Sequence, residues 1–181
     1  MNVITTEGVA VFIDVRNVLS DVKRFRYSGA KFDFKDMVDS IVGGRKLKGV
    51  YAFDGIFDDA AQCGIHDELE NMGFIIIPLK CDKNANKQKG VDAEMTCEIL
   101  EQAYSNNYDT AIIVSGDGDF CPVTERIRAL GKKVEVAGFS NSMSRKLSET
   151  CNVFHNLDPM PLFYYAPMKA IYCEHRTWCS Y

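Results

Sequence analysis

The chain has 181 residues, enough for one domain with a tail and for a core that needs no covalent staples. Hydrophobic residues make up 46% and charged residues 25%, the profile of an ordinary soluble globular protein, and no apolar run approaches the ~20 residues that span a bilayer. The formal net charge of −4 argues against a protein that coats nucleic acid by bulk charge, but leaves room for acidic metal ligands beside a local basic patch.

The start, MNVITTEGVAVFID, has no basic leader and no cleavage site, so a cytoplasmic location is expected. The seven cysteines are odd in number and form no CxxC pair, which suits free thiols in a reducing compartment.

Val9 to Val15 (VAVFIDV) reads as a buried strand. Phe34 to Val42 reads as a helix, with Met37, Val38, Ile41 and Val42 at helical spacing. Leu47 to Phe53 is a second strand, and Asp58 to Met72 a helix stopped by Gly73. Phe74 to Leu79 (FIIIPL) is a third strand, and residues 80–90 are a lysine-rich loop. Val91 to Tyr104 is a helix with Val91, Met95, Ile99 and Ala103 on one side. Thr110 to Ser115 is a fourth strand, Phe120 to Leu130 a helix ended by Gly131, and Lys133 to Gly138 a fifth strand. Ser142 to Glu149 is a short helix and Cys151 to His155 a sixth strand.

This alternation predicts an α/β fold: a three-layer α/β/α sandwich around a mainly parallel sheet, Rossmann-like in outline. The strands are almost unbroken apolar runs, as parallel strands covered on both faces must be. The pattern breaks after Asp158. Residues 1–158 are expected to form the domain and residues 159–181 a tail. That tail holds three of the five prolines and Phe163, Tyr164, Tyr165, Tyr172 and Trp178, which are costly to expose together. It is expected to pack on the domain or on a partner, either a second copy of the chain or another protein.

Ligands of an open parallel sheet bind outside the carboxyl ends of its strands. The first strand ends in Asp14, followed by Asn17. The fourth ends in Ser115-Gly-Asp117-Gly-Asp119, and the helix from Val91 begins with Asp92, on the same edge if the crossover is right-handed. Three segments thus deliver carboxylates to one rim. Crowded carboxylates repel unless a cation intervenes, and an all-oxygen set favours Mg²⁺ or Mn²⁺ over Zn²⁺. Gly116 and Gly118 are expected to let the backbone turn sharply and approach an ion or phosphate. Taken singly, Asp92 and Asp119 could be helix caps, and Asn17 a turn residue.

The ordered set Phe12-Ile-Asp14-x-x-Asn17, Lys89-Gly-Val-Asp92, Ser115-Gly-Asp-Gly-Asp-Phe120 and Gly131-Lys-x-Val134 resembles the NYN domain family, and within it the bacterial LabA-like branch. These domains are similar to PIN-domain nucleases. The resemblance spans roughly residues 7 to 158. It implies hydrolysis of RNA phosphodiester bonds with Mg²⁺ or Mn²⁺, an acidic catalytic and metal-binding site at Asp14, Asp92, Asp117 and Asp119, and supporting polar positions at Asn17 and Ser115. One departure is Glu98, where LabA-like members usually carry Asp six residues after the KGVD aspartate. Six residues turn about 240° around a helix, so Glu98 is a supporting residue at most.

A negative site needs cations nearby to hold RNA, single-stranded or structured. Arg16 and the loop residues Lys83, Lys87 and Lys89 are the candidates for phosphate contact. Lys23, Arg24 and Arg26, interleaved with Phe25 and Tyr27, are read as a loop after the first strand whose mixture suits a single strand. The competing reading is a non-catalytic module that binds RNA or protein and keeps the fold and the metal site. A phosphatase is disfavoured because Arg16 stands where a second Asp would be needed, and no GxGxxG follows the first strand. Cys173, His175 and Cys179 are too few for a closed zinc site.

Overall fold

A computed structural model describes residues 7–24, 30–56, 60–80 and 90–165. Its central strand is Gly8–Asp14 (β1), buried along its whole length. Successive side chains of a strand point to opposite faces. Val9, Val11 and Ile13 accordingly enter one core, and Ala10 and Phe12 enter the other. This is why the sequence reads VAVFI with no polar alternate.

The elements in chain order are β1, α1 (Val15–Arg24), β2 (Ala30–Phe32), α2 (Phe34–Val42), β3 (Lys46–Ile56), α3 (Ala60–Asn71) and β4 (Ile75–Lys80). There follow α4 (Val91–Tyr104), β5 (Thr110–Val114), a 3₁₀ turn (Gly118–Phe120), α5 (Cys121–Ala129), β6 (Lys133–Gly138), α6 (Arg145–Thr150), β7 (Val153–Asn156) and β8 (Phe163–Tyr165). Six strands form one sheet in the order β4-β3-β1-β5-β6-β7. Every neighbouring pair in it is parallel.

One core lies between the sheet and residues of α1, α2 and α3, including Val18, Met37, Ile41 and Leu69. The other lies under α4, α5 and α6, with Met95, Ile99, Ile127 and Leu147. The expected three-layer α/β/α architecture is therefore present. Each fully buried side chain of this kind contributes about 1.5–3 kcal/mol relative to exposure.

The chain builds outward from β1 to β3 and β4, then returns through α4 to place β5 on the other side of β1. The strand order reverses there, and the connections leaving β1 and β5 go to opposite faces of the sheet and leave a crevice between them.

The helices at Phe34–Val42 and Val91–Tyr104 and the strand at Lys133–Gly138 occupy the residues the sequence predicts. Asp33 caps α2 by accepting the Asp36 N–H at 2.9 Å. Gly73 and Gly131 take the left-handed conformation expected just past a helix, at φ of +84° and +79°.

Three expectations change. Val15 opens a helix and does not end a strand, because Val15, Val18, Leu19 and Val22 face the core at helical spacing. Lys23 and Arg24 therefore belong to the last turn of α1, not to a loop. The helix after β5 starts as a 3₁₀ turn and becomes regular only at Cys121. Two further strands, β2 and β8, pair antiparallel and hold residues 163–165 to the domain, with Phe32 and Phe163 ring centroids 5.6 Å apart. Phe25, Arg26 and Tyr27, the start of the predicted helix at Asp58, and Tyr172, Cys173, His175, Trp178 and Cys179 lie outside the described residues.

A buried ion triad ties α2 to the sheet. Glu135 on β6 accepts from Arg45 Nη1 at 2.7 Å and Nη2 at 2.8 Å, and pairs with His155 Nε2 at 2.7 Å. Arg45 also donates to the carbonyls of Ile41 and Val42, completing the end of α2. Burial would raise the Glu135 pKa, but the hydrogen bonds from His155 and Arg45 outweigh it and hold it at about 2. A folded pKa below the unfolded value stabilises the native state above the unfolded value and loses that contribution as pH falls. Glu135→Gln should cost about 3 kcal/mol at pH 7. In urea titrations the gap to wild type should shrink as pH drops from 4.5 toward 2.

Candidate metal and phosphodiester site

The divergence of the connections after β1 and β5 decides what the rim can hold. Asp14 is the last residue of β1 and is only 4% exposed, because its strand is covered on both faces. Its Oδ1 accepts the Asn17 N–H at 3.0 Å in the first turn of α1. Asn17 reaches in turn across the crevice, where its Oδ1 accepts the Gly116 N–H at 3.0 Å. One side chain thus fastens the end of β1 to the turn after β5. Ser115, 1% exposed, accepts the Asp117 N–H at 3.2 Å, and its Oγ stands 3.5 Å from Asp14 Oδ2.

The turn from Ser115 to Asp119 uses its glycines in a way the sequence does not announce. Neither Gly116 nor Gly118 has a positive φ. A Cβ on Gly116 would lie 2.7 Å from the Ser142 carbonyl oxygen, so glycine is needed because another backbone is pressed against it. The Ser144 N–H donates to the Gly116 carbonyl at 2.8 Å and locks the same contact.

Asp117 caps the 3₁₀ turn, accepting the Asp119 N–H at 2.9 Å. Asp119 lies within that turn and is not its cap. Asp92 sits in the first turn of α4, which Gly90 opens at φ +128° with no side-chain cap. The capping roles open to Asp92 and Asp119 in the sequence are not the ones they take.

Asp14, Asn17, Asp92 and Asp117 line one cleft of about 430 Å³, together with Arg16, Ser20 and Lys23. Asp119 is outside its lining but close enough to raise the Asp92 pKa. Burial, and then the negative charges of Asp92, Asp117 and Asp54, push the Asp14 pKa up to about 6 against the lowering effect of the Asn17 N–H. Burial also raises Asp92, helped by Asp117 and Asp119. No cation is ion-paired with Asp14, Asp92 or Asp117 among the described residues.

The donors are hard oxygens, and among the described residues no cation is ion-paired with them, which fits a hard divalent cation. Among the described residues no group of three or more His, Cys, Asp or Glu side chains is gathered closely enough to hold a metal ion, so Asp14, Asp92 and Asp117 share a cleft without forming a ready-made ligand cluster. Water and substrate oxygens would complete the coordination, as is usual for Mg²⁺.

A family model for the NYN domain matches residues 8–158. The chain belongs to the NYN domain family. NYN domains form a PIN-like nuclease family; they generally bind RNA, and such nucleases typically use divalent metals. The low amplitude and bright protein LabA of Synechococcus elongatus is 22% identical to this NYN chain, with 86% of each covered. A crystal structure of a protein of unknown function from Vibrio parahaemolyticus matches it with a TM-score of 0.73 at 26% identity, covering 88% of this chain and 98% of that one. Among the described residues, no helix is long and apolar enough to cross a membrane.

The remaining candidates in this NYN domain are distributed unevenly. Arg16 lines the cleft, but its Nε donates to Asp54 Oδ1 at 2.8 Å and its Nη2 to the Gly55 carbonyl at 2.9 Å. Glu98 does not line the cleft; it accepts from Gln102 at 2.7 Å, and its charge adds to burial in raising the Tyr51 pKa. Lys83, Lys87 and Lys89 lie outside the described residues.

Sequence reading missed Asp54, 2% exposed, which also pairs with His66 Nε2 at 2.8 Å. The rule that singled out Asp14, a carboxylate near the carboxyl end of an apolar strand, applies equally to Asp54.

Asp14 carries its charge at a cost, since its folded pKa lies above the unfolded value. Its contribution is greatest when protonated and is lost as pH rises from about 3.8 through about 6. In chelator at pH 7.5, Asp14→Asn should therefore raise stability, by up to about 3 kcal/mol, since the amide keeps the acceptor for Asn17. The gain should fade below pH 6 in thermal melts.

Proposed function

We propose that this NYN domain hydrolyses RNA phosphodiester bonds at the β1/β5 rim. Asp14, Asp92 and Asp117, with Asp119 in support, are the acidic residues of that site, and Mg²⁺ or Mn²⁺ is the cofactor. The observation that carries the reading is a buried Asp14 sharing one cleft with Asp92 and Asp117 and having no cationic partner among the described residues.

A divalent cation bound there supplies Lewis acidity toward water and toward the phosphate oxygens. The chain's own groups hold the geometry. Asn17 and Ser115 fix the Asp14 carboxylate and the Asp117 backbone relative to each other. Arg16, oriented by Asp54, and Lys23 line the same cleft and offset the charge of an incoming phosphate. No histidine or cysteine among the described residues lines the cleft, and the attacking oxygen is assigned to water.

Lys83, Lys87 and Lys89 precede Asp92 in the sequence and are assigned to backbone phosphates. Leu162 and the strand Phe163–Tyr165 pack on the domain, and the remainder of the tail is assigned to contact with a protein partner or a second copy, and the location to the cytoplasm.

Purified wild type should cleave RNA in Mn²⁺, and Asp14→Asn or Asp117→Asn should reduce the rate at least ~100-fold. Mn²⁺ should raise the wild-type melting temperature and leave that of Asp14→Asn unchanged. Equal cleavage by all three proteins would sink the assignment. A Mn²⁺ shift without turnover on varied RNAs would favour the non-catalytic module instead.

Replacing Lys83, Lys87 and Lys89 with Ala should weaken RNA binding and flatten the log–log salt dependence by about 2. An unchanged slope would remove that segment from the contact surface.

A further inference from the structure

Arg16, Ser20, Lys23 and Arg24 follow one another along α1 at spacings that place them on one helix face over about two turns. That face continues past the acidic cleft. A second cavity of about 320 Å³ opens beside the first and shares Asn17, Ser20 and Asp117 with it. Arg24, Gly116, Gly118 and Ser142 belong to its lining. The two cavities thus form one groove with α1 as a wall. Arg16 and Lys23 line the first cavity, Arg24 lines the second, and Ser20 lines both.

The charge along this groove is ordered. The carboxylates of Asp14 and Asp92 are confined to the first cavity. In the second, Asp21 is only 5% exposed and is occupied by the Ser142 hydroxyl, with Arg24 Nη1 at 3.5 Å. Asp117 Oδ1 is taken by the Asp119 N–H. The Arg24 side chain remains 69% exposed, and a guanidinium has five N–H donors, so contact with Asp21 leaves donors for a second acceptor. Two adjoining cavities, one with the acidic residues and one with a solvent-facing guanidinium, joined by the Ser20 hydroxyl, suit a ligand with more than one phosphate.

We propose that the second cavity is a subsite for the phosphate next to the reacting one in a single-stranded RNA, held by Arg24 and Ser20. The inference rests on the nuclease reading for the identity of the reacting phosphate. It adds that the strand passes from the first cavity into the second beside α1, so a lone phosphodiester or mononucleotide fills only one of the two cavities.

The test is equilibrium binding of fluorescent oligouridylates of about two to eight nucleotides, followed by anisotropy across a salt series, with Ca²⁺ replacing Mn²⁺ to hold off cleavage. Wild-type affinity should rise with length until both cavities are filled. Arg24→Ala should weaken the longer oligonucleotides about fivefold and lower the salt slope by about 0.7, while Arg24→Lys should retain the slope. Length-independent affinity, or an Arg24→Ala slope equal to wild type at every length, would overturn the subsite.

Turnover of bis(p-nitrophenyl) phosphate in Mn²⁺ reads the acidic centre separately. Length-dependent, Arg24-sensitive binding without that turnover would sustain the groove as a binding site and sink the hydrolytic centre. Turnover with Arg24-insensitive binding would do the reverse.

Discussion

The structure depends on the connection that Asn17 makes between two strands whose loops diverge. Its backbone N–H holds the Asp14 carboxylate, and its side chain holds the Gly116 N–H, about a hundred residues away in sequence. Both partners sit at ends of strands in the middle of the sheet. Rigid neighbours on either side therefore leave little freedom in where Asp14 and Asp117 point. A short polar side chain is sufficient because the sheet has already brought its two partners close.

Two buried carboxylates in this molecule meet opposite fates. Glu135 receives two nitrogens from Arg45 and one from His155, and its pKa falls to about 2. Asp14 receives one backbone N–H and the neighbourhood of other carboxylates, and its pKa rises to about 6. Both are nearly inaccessible to solvent. The difference lies in what stands opposite each of them. Glu135 closes a structural triad under α2, whereas Asp14 has no cation paired with it among the described residues.

Much of this was legible because parallel sheets place their chemistry by rule. Asp14 and Asp117 were readable as rim residues since each follows a buried apolar strand, and Asp92 since it opens the crossover helix. Helix α1 was harder to see. Its four core-facing residues are interrupted by six polar ones, and it starts without any loop after β1. Asp54 directly follows the strand expected at Leu47–Phe53, so the same rule reaches it, although β3 runs on to Ile56 and leaves the carboxylate within the strand. Its partners Arg16 and His66 come from two other elements, so no local spacing announces them. The role of Gly116 lay equally beyond local reading, because it is set by the Ser142 carbonyl from a separate loop. The ribbon of β2 with β8 joins segments more than a hundred residues apart through three residues each, too short to leave a pattern.

The alternation of β1 between the two cores has a mechanical corollary. Val11 and Ile13 are wedged against one helical layer and Phe12 against the other, so the backbone carrying Asp14 is gripped from both sides at once. A repacking beneath α2 or beneath α4 would be transmitted along the same short rod to its tip. The carboxylate thus registers disturbances in either half of the interior, and drift accepted in one hydrophobic layer has to be matched by the other if the tip is to stay in place.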